Sequence, residues 1–316
     1  MIKPGKTVII GAGHVGSAVL NSLLRMNITD EIVLINRNRD RALGEVMDAK
    51  HTLAFAYSAN ANIRVGSYED CADANIIVNT AAPNIPGGCR DRMTLLKTNV
   101  DVISDIMENI VRYTREAIII NAANPLDILT YVMQKKFNYD PAKIIGTGTL
   151  LDTARFNKII GDICRVDAKN VTGFVLGEHG STAFIPWNCV NIVGIPFGKF
   201  EKQFSLKEPI NKDAILSEMK SSGLDILRLK GFTSSGISLS VCRIIGCVLR
   251  NERAVLPVCT SLFGPYGLKD VAMSLPAIVG KDGAERVLEI PLDEQGKKDL
   301  LTCYDYLHGI LDKIEL

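Results

Sequence analysis

The chain contains no CxxC pair and no cysteine set beside histidine at zinc-ligand spacing, although it has eight cysteines. That excludes the familiar zinc modules and gives no sign of a disulfide framework. Cys242 and Cys247 sit inside the apolar run SVCRIIGCVL, so the thiols read as free, buried and kept in a reducing compartment. Long hydrophobic runs are missing too. No stretch reaches the roughly 18 to 20 apolar residues that a membrane span needs. The opening MIKPGKTVIIGAG breaks its apolar run with glycines too early for a secretory signal. Charge of one sign is absent: 36 Lys and Arg against 35 Asp and Glu give a net charge of +1. No basic run could track a nucleic-acid backbone, since Arg37, Arg39 and Arg41 alternate with Asn38 and Asp40. The expectation is a cytoplasmic protein with no membrane and no nucleic-acid partner.

What is there is a globular composition, 47% hydrophobic and 22% charged over 316 residues, long enough for two domains. The first half alternates short apolar runs with helical patterns. TVII, EIVLI, NIRVG, NIIVNTA, AIIINAANP and KIIGTGT read as strands. Runs that are apolar throughout and separated by helices predict parallel strands covered on both faces. In HVGSAVLNSLLRM, the residues Val15, Ala18, Val19, Leu23 and Met26 share a helical face. The predicted fold is α/β: an N-terminal doubly wound parallel sheet of Rossmann type over residues 1–145, then a mixed α+β substrate domain over residues 146–316. In the second part, VTGFVLGEHG and FIPWNCVNIVGIPF read as strands, residues 205–229 as an interrupted helix, and SSGISLSVCRIIGCVL as an apolar helix. The tail from Asp293 reads as a one-faced helix with Asp293 as its N-cap.

GAGHVG places Gly11, Gly13 and Gly16 directly after a strand and at the opening of a helix. Alone, G-x-G-x-x-G is a weak signal; in this context it is a strong one for a dinucleotide. Gly11 permits the tight turn, Gly13 lets the backbone approach a pyrophosphate, and Gly16 lets helix and strand pack closely. The helix N-terminus offers free N–H groups to the anion. The second strand, however, ends at Asn36 and not at the acidic residue expected about twenty positions past the glycines to bind the ribose. Asn36 can still hydrogen-bond a ribose, but without the repulsion that rejects a 2′-phosphate. Arg37 is either a solvated surface arginine or a ligand for that phosphate. NAD is the expected cofactor, with weakened discrimination against NADP.

Three further stretches carry chemistry. In LLDTARF, Asp152 and Arg155 share a helical face, as a surface ion pair or as a site. In LGEHGS, His179 follows a strand, one of only four histidines. In NAANPLD, Asn124 precedes Pro125, which pushes it out of the α region and permits a cis bond. TAAPNIPGGCRDRM, residues 80–93, is a Pro- and Gly-rich loop after a strand, able to carry a cation onto something small and anionic.

The segments GAGHVGSA, NIPGGCR, NPLDILT, GTGTLLDTAR, GEHGS and KGFTSSGIS occur in this order. With them the chain resembles the L-lactate and malate dehydrogenases, more broadly the L-2-hydroxyacid dehydrogenases, from Thr7 to the C-terminal helix, and lies nearer the lactate enzymes. The resemblance implies an oxidoreductase that moves a hydride between a nicotinamide cofactor and a small 2-keto or 2-hydroxy acid, without a metal. It implies His179 as general acid/base, a role suited to imidazole, and Asp152 as its orienting partner. Arg155 becomes the substrate-carboxylate clamp. Asn124 would bond the histidine or the substrate oxygen, and Thr233 and Ile237 would line the pocket. The cofactor set is Gly11, Gly13, His14, Val15, Gly16, Asn36, Arg37, Thr80, Ala81, Ala82, Asn99 and Asn124. The loop becomes a lid that brings Arg90 to the substrate carbonyl, with Pro86, Gly87 and Gly88 as hinge and turn.

Asn84 falls where lactate dehydrogenases carry Gln and malate dehydrogenases Arg. A second substrate carboxylate would be left unpaired at a cost of several kcal/mol, which argues against malate. Asn is one methylene shorter than Gln, so longer 2-keto acids such as 2-oxoisocaproate are the alternative to pyruvate. Ile85 and Gly88 also depart from the family, making the lid less polar. A non-catalytic dinucleotide-binding protein is the reading from another class. The arginine and histidine that hold fructose 1,6-bisphosphate in activated relatives align with Asn157 and Thr172, so no activation is expected. A homo-oligomer is implied, dimer or tetramer, with a segment before Thr7 too short for an exchanging arm.

Overall fold

The computed structural model describes residues 5–55, 60–83 and 92–314, with side chains omitted at 92–94. The first half runs β1 (Lys6–Ile10), α1 (His14–Met26), β2 (Glu31–Ile35), α2 (Arg39–His51), β3 (Asn62–Val65), β4 (Ile76–Asn79), α3 (Arg92–Val111), β5 (Ile118–Asn121), α4 (Leu126–Lys136) and β6 (Ile144–Gly146). The second half runs α5 (Leu150–Cys164), β7 (Val171–Thr172), β8 (Asn191–Ile192), β9 (Ile195–Pro196), α6 (Phe200–Gln203), α7 (Lys212–Lys230), α8 (Ser235–Arg250), β10 (Ala254–Phe263), β11 (Lys269–Gly280), β12 (Gly283–Val287) and α9 (Glu294–Leu311).

β1 to β6 pair in parallel, in the spatial order β6-β5-β4-β1-β2-β3. The order reverses between β1 and β4, and there the carboxyl ends of the strands open a crevice, the usual ligand position in such sheets. The apolar runs are explained by two cores. Val8, Ile10, Val33, Ile77 and Ile119 enter one, and Ile9, Ile32, Leu34, Ile76 and Ile118 the other. Alternate residues point to opposite faces, and both faces are covered. The α/β doubly wound expectation therefore holds.

Several local expectations do not. β10 pairs antiparallel with β6 at Cys259 and Gly146, and β11 and β12 follow, so one nine-stranded sheet runs through both halves. β10 and β11 were not expected as strands. Each carries a proline, Pro257 opposite Pro276, and each is buried along most of its length, so neither shows the polar alternation that marks a half-exposed strand. The two segments around His179 yield only the short strands β7, β8 and β9, with an isolated bridge between Leu176 and Phe184. The break expected in 205–229 lies before Lys212, in the non-helical stretch that follows α6; α7 continues through Gly223. On α1 the buried face is Gly16, Val19, Leu20, Leu23 and Leu24, while Met26 is 45% exposed. Asp293 caps α9 as expected, accepting the N–H of Gly296. The seven described cysteines are free, and all but Cys189 are buried.

At the amino ends of the strands, away from the crevice, Arg64 on β3 bridges Glu31 and Asp70, and Lys6 lies near Asp70 and Asp73. The Arg64 hydrogen bond, helped by the Ser67 N–H, overcomes partial burial and holds the Asp70 carboxyl down at about 2. A depressed carboxylate stabilises the fold above its unfolded value and ceases to as pH falls through the folded one. Asp70→Asn is expected to cost about 1–2 kcal/mol at pH 7. Urea denaturation at several pH values should show the gap to wild type narrowing below about pH 4.

Candidate active site

The glycine turn is built by its backbone. Gly11 has φ +105° and donates its N–H to Ile35 O at 2.8 Å. A Cβ on Gly16 would lie 1.9 Å from Gly11 O, whereas one on Gly13 would meet nothing within 4 Å. Open space thus lies over the start of α1, whose N-cap, Gly13, has no side-chain cap and whose first turn has no acidic residue. Uncapped N–H groups facing open space fit the pyrophosphate of a dinucleotide. Thr80 clamps this turn to β4, its hydroxyl in reach of Ile10 O and Gly11 O at 3.0 and 3.1 Å. Asn36 stands beside this turn: Oδ1 accepts the Ala12 N–H at 3.1 Å and Nδ2 donates to Asn38 O at 2.9 Å. Its amide thus staples the second strand to the glycine turn. Arg37 beside it is exposed. His14 stacks on Phe232, ring centroids 3.8 Å apart, joining the start of α1 to the α7–α8 turn.

A buried pair orders the neighbouring turns. Asn79, ending β4, donates to Asn121 Oδ1 at 3.0 Å across the strands. Each Oδ1 also accepts a main-chain N–H two residues on, from Ala81 and Ala123, both at 3.2 Å. These bonds shape the segments carrying Ala81 and Ala82 on one side and Asn124 on the other. The Asn124–Pro125 bond is cis.

A cluster of carboxylate, guanidinium and imidazole is assembled from α5 and the loop that carries His179. On α5, Asp152 Oδ1 accepts from Arg155 Nη1 at 2.9 Å, and Oδ2 meets His179 Nδ1 at 2.7 Å. The ion pair read from the i,i+3 spacing therefore exists, but at a cavity wall, with Asp152 only 8% and Arg155 18% exposed. The bond to the carboxylate assigns the proton to Nδ1 and leaves Nε2 free for chemistry. Burial disfavours charge on His179, but the hydrogen bond and charge of Asp152, with the charge of Asp127, outweigh it and hold the imidazole above its ordinary value. Burial likewise opposes ionisation of Asp152, and the His179 bond with the charges of His179 and Arg155 keeps its carboxyl below the usual range.

The GEHGS loop holds His179 in place. Gly177 has φ +91°, and a Cβ there would strike Cys303 Sγ at 2.4 Å. Glu178 Oε2 folds the loop by accepting from the Thr182 N–H and hydroxyl at 2.9 and 2.7 Å. The His179 N–H donates to Asp127 Oδ2 at 2.8 Å.

These groups open onto a cavity of about 790 Å³ in the crevice. Of the expected site residues it brings together Val15, Asn124, Asp152, Arg155, His179, Thr233 and Ile237. No bond joins Asn124 to His179 among the described residues; Asn124 is a wall residue. Asn99 stands apart, buried on α3 and donating to Leu95 O at 2.7 Å. Asn84, Arg90 and the hinge positions Pro86, Gly87 and Gly88 lie outside the described residues. Asn157 and Thr172 sit on α5 and β7. The wall residues Leu151, Lys220, Gly223, Leu224 and Leu227 were not singled out from sequence. Nor was Asp127, whose signal was a lone charge within the apolar LDILTYVM.

The model for the lactate/malate dehydrogenase NAD-binding domain matches residues 5–146, and that for the lactate/malate dehydrogenase alpha/beta C-terminal domain matches residues 149–315. L-lactate dehydrogenase 2 of Clostridium acetobutylicum is 50% identical over 307 residues, 97% of this chain and 96% of its own. The L-lactate dehydrogenase of Selenomonas ruminantium is 44% identical, with 97% of each chain covered. The ligand-bound crystal structure of a minor L-lactate dehydrogenase from Enterococcus mundtii superposes with a TM-score of 0.94 at 33% identity, covering 99% of both chains.

Proposed function

The chain belongs to the lactate/malate dehydrogenase family, and we propose that it is an NAD-dependent L-lactate dehydrogenase, interconverting pyruvate and L-lactate. The observation that carries this is Asp152 bonded at once to His179 and Arg155, on the wall of a cavity that also reaches Val15, beside the glycine turn. The cofactor, when bound, supplies or takes the hydride. Gly11, Gly13, Gly16 and the start of α1 would hold its pyrophosphate, with Thr80, Ala81 and Ala82 beside it.

Arg155 binds the substrate carboxylate through two parallel hydrogen bonds and so fixes the keto carbon. His179 Nε2 gives its proton to the keto oxygen during reduction and takes it back during oxidation. Asp152 holds the ring in the useful tautomer and stabilises the imidazolium. By family resemblance Arg90 polarises the carbonyl and Asn84 meets the substrate's far end. The protein would work in the cytoplasm as a dimer or tetramer.

A dehydrogenase of longer 2-keto acids is the second reading. It is favoured by the apolar walls Leu151, Leu224, Leu227 and Ile237, which bury a branched tail better than a methyl group.

Both are tested by following reduced-nicotinamide absorbance with equal pyruvate, 2-oxoisocaproate and oxaloacetate. Pyruvate is expected to lead and oxaloacetate to trail by at least about a hundredfold, the cost of one unpaired carboxylate. A lead for 2-oxoisocaproate selects the second reading, and a lead for oxaloacetate sinks both. NADPH run in parallel is expected to support more than about a hundredth of the NADH efficiency, because Asn36 brings no charge against the 2′-phosphate.

A further inference from the structure

We infer that Asp127 is a positioning residue for this reaction: its buried side chain, bonded to the main chain of His179, fixes the catalytic loop and favours the protonated imidazole. The inference rests on the dehydrogenase reading of the site.

Asp127 is the second residue of α4, two positions after the cis Pro125, and is 3% exposed. Oδ2 accepts the His179 N–H at 2.8 Å, so the carboxyl reaches across 52 positions of sequence to the residue that carries the proton. Oδ1 is buried with no hydrogen-bond partner. The thiol of Cys259 on β10, a weak donor, lies beside the carboxyl. No arginine or lysine pairs with Asp127 among the described residues. The groups facing it are His179, Glu178, Cys259 and Cys303, and those facing His179 are Asp152, Arg155 and Asp127. The group that can turn positive beside Asp127 is therefore the catalytic imidazole.

Burial pushes the Asp127 carboxyl up to about 6, against the pull of the His179 N–H. It is thus ionised at neutral pH at a cost to folding. A packed core gains nothing from a half-satisfied buried carboxylate. Such a group persists where function uses it. Here the use is electrostatic: an anion in a dry setting lowers the cost of placing a proton on His179, in addition to what Asp152 does.

Asp127→Asn keeps the shape and an acceptor for the His179 N–H but removes the charge. His179 is titrated by NMR, identified among four histidines by its loss in His179→Asn. Its titration is expected to move down by about 0.5 to 1 unit. At pH 7.5 the pyruvate KM should rise about 3- to 10-fold, with NADH affinity unchanged and Tm equal to or above wild type. A merely structural aspartate would lower Tm and leave the titration in place, which would overturn the inference. So would a pH profile superimposable on wild type.

Cys259→Ala offers a second probe should Asp127→Asn fail to fold. Losing the thiol donor pushes the Asp127 carboxyl further up, so less of it is ionised where His179 titrates. The His179 NMR titration is then expected to move down by a few tenths of a unit, with the pyruvate KM at pH 7.5 rising in step; an unmoved titration counts against the role. A wild type inert toward every 2-keto acid would fail the dehydrogenase reading itself, an outcome the NMR titration does not depend on.

Discussion

Replacing His179 by Asn is expected to lower kcat for pyruvate reduction by about 10³-fold while leaving NADH affinity within about 2-fold. Without a donor at Nε2, hydride arrival would leave an alkoxide with no proton from His179 to neutralise it, and Arg155 as the cation at the cavity wall. The variant would also leave the buried Asp152 with Arg155 as its one charged partner among the described residues. Steady-state rates and a nucleotide fluorescence titration separate the two effects. Retention of more than about a tenth of wild-type kcat would place the proton donor elsewhere.

The pH dependence has a definite sign. His179 is held above its ordinary value, so the imidazolium that would give its proton to the keto oxygen persists to higher pH than that of a free imidazole. Reduction is lost as pH rises through that raised value, and oxidation, which needs the free base, gains over the same range. The variant should lose both limbs.

The glycine turn could be read directly because its physics is local. A positive φ at Gly11 and a 1.9 Å clash at Gly16 leave few other residues possible, and the following helix start needs no distant partner. The i,i+3 placement of Asp152 and Arg155 was equally local. Whether they formed a surface pair or a site was not, since that depended on His179 arriving from 27 positions away. Asp127 stayed unread for the same reason: its partner is a main-chain N–H that exists only once the GEHGS loop is folded. The bond from the Ala12 N–H to Asn36 was out of reach of the sequence, since the glycine turn must fold before that N–H stands beside the end of β2. β10 and β11 escaped because burial on both faces erases the period-two signal, and their paired prolines look like breakers until they are seen opposite one another. The cavity wall on α7 could not be read either. Leu224 and Leu227 are largely exposed on the helix, and only the crevice in front of them makes them site residues.

Arg155→Lys is the second large effect expected. Lysine keeps the charge but not the planar fork, so the substrate carboxylate would exchange two parallel hydrogen bonds for one mobile contact. The variant also loses the geometry that holds Arg155 on Asp152 at 2.9 Å, so the cation would range over the cavity. We expect kcat/KM for pyruvate to fall about 10²- to 10³-fold, mostly through KM, with NADH binding intact. Because the net charge near His179 is unchanged, the pH at which reduction is lost should hardly move. That separates a clamp from an electrostatic modulator: a variant with near-normal KM but a displaced pH profile would mean that Arg155 acts through Asp152 and His179 and that the carboxylate is held by another cation, with Lys220 on the same wall the first to test.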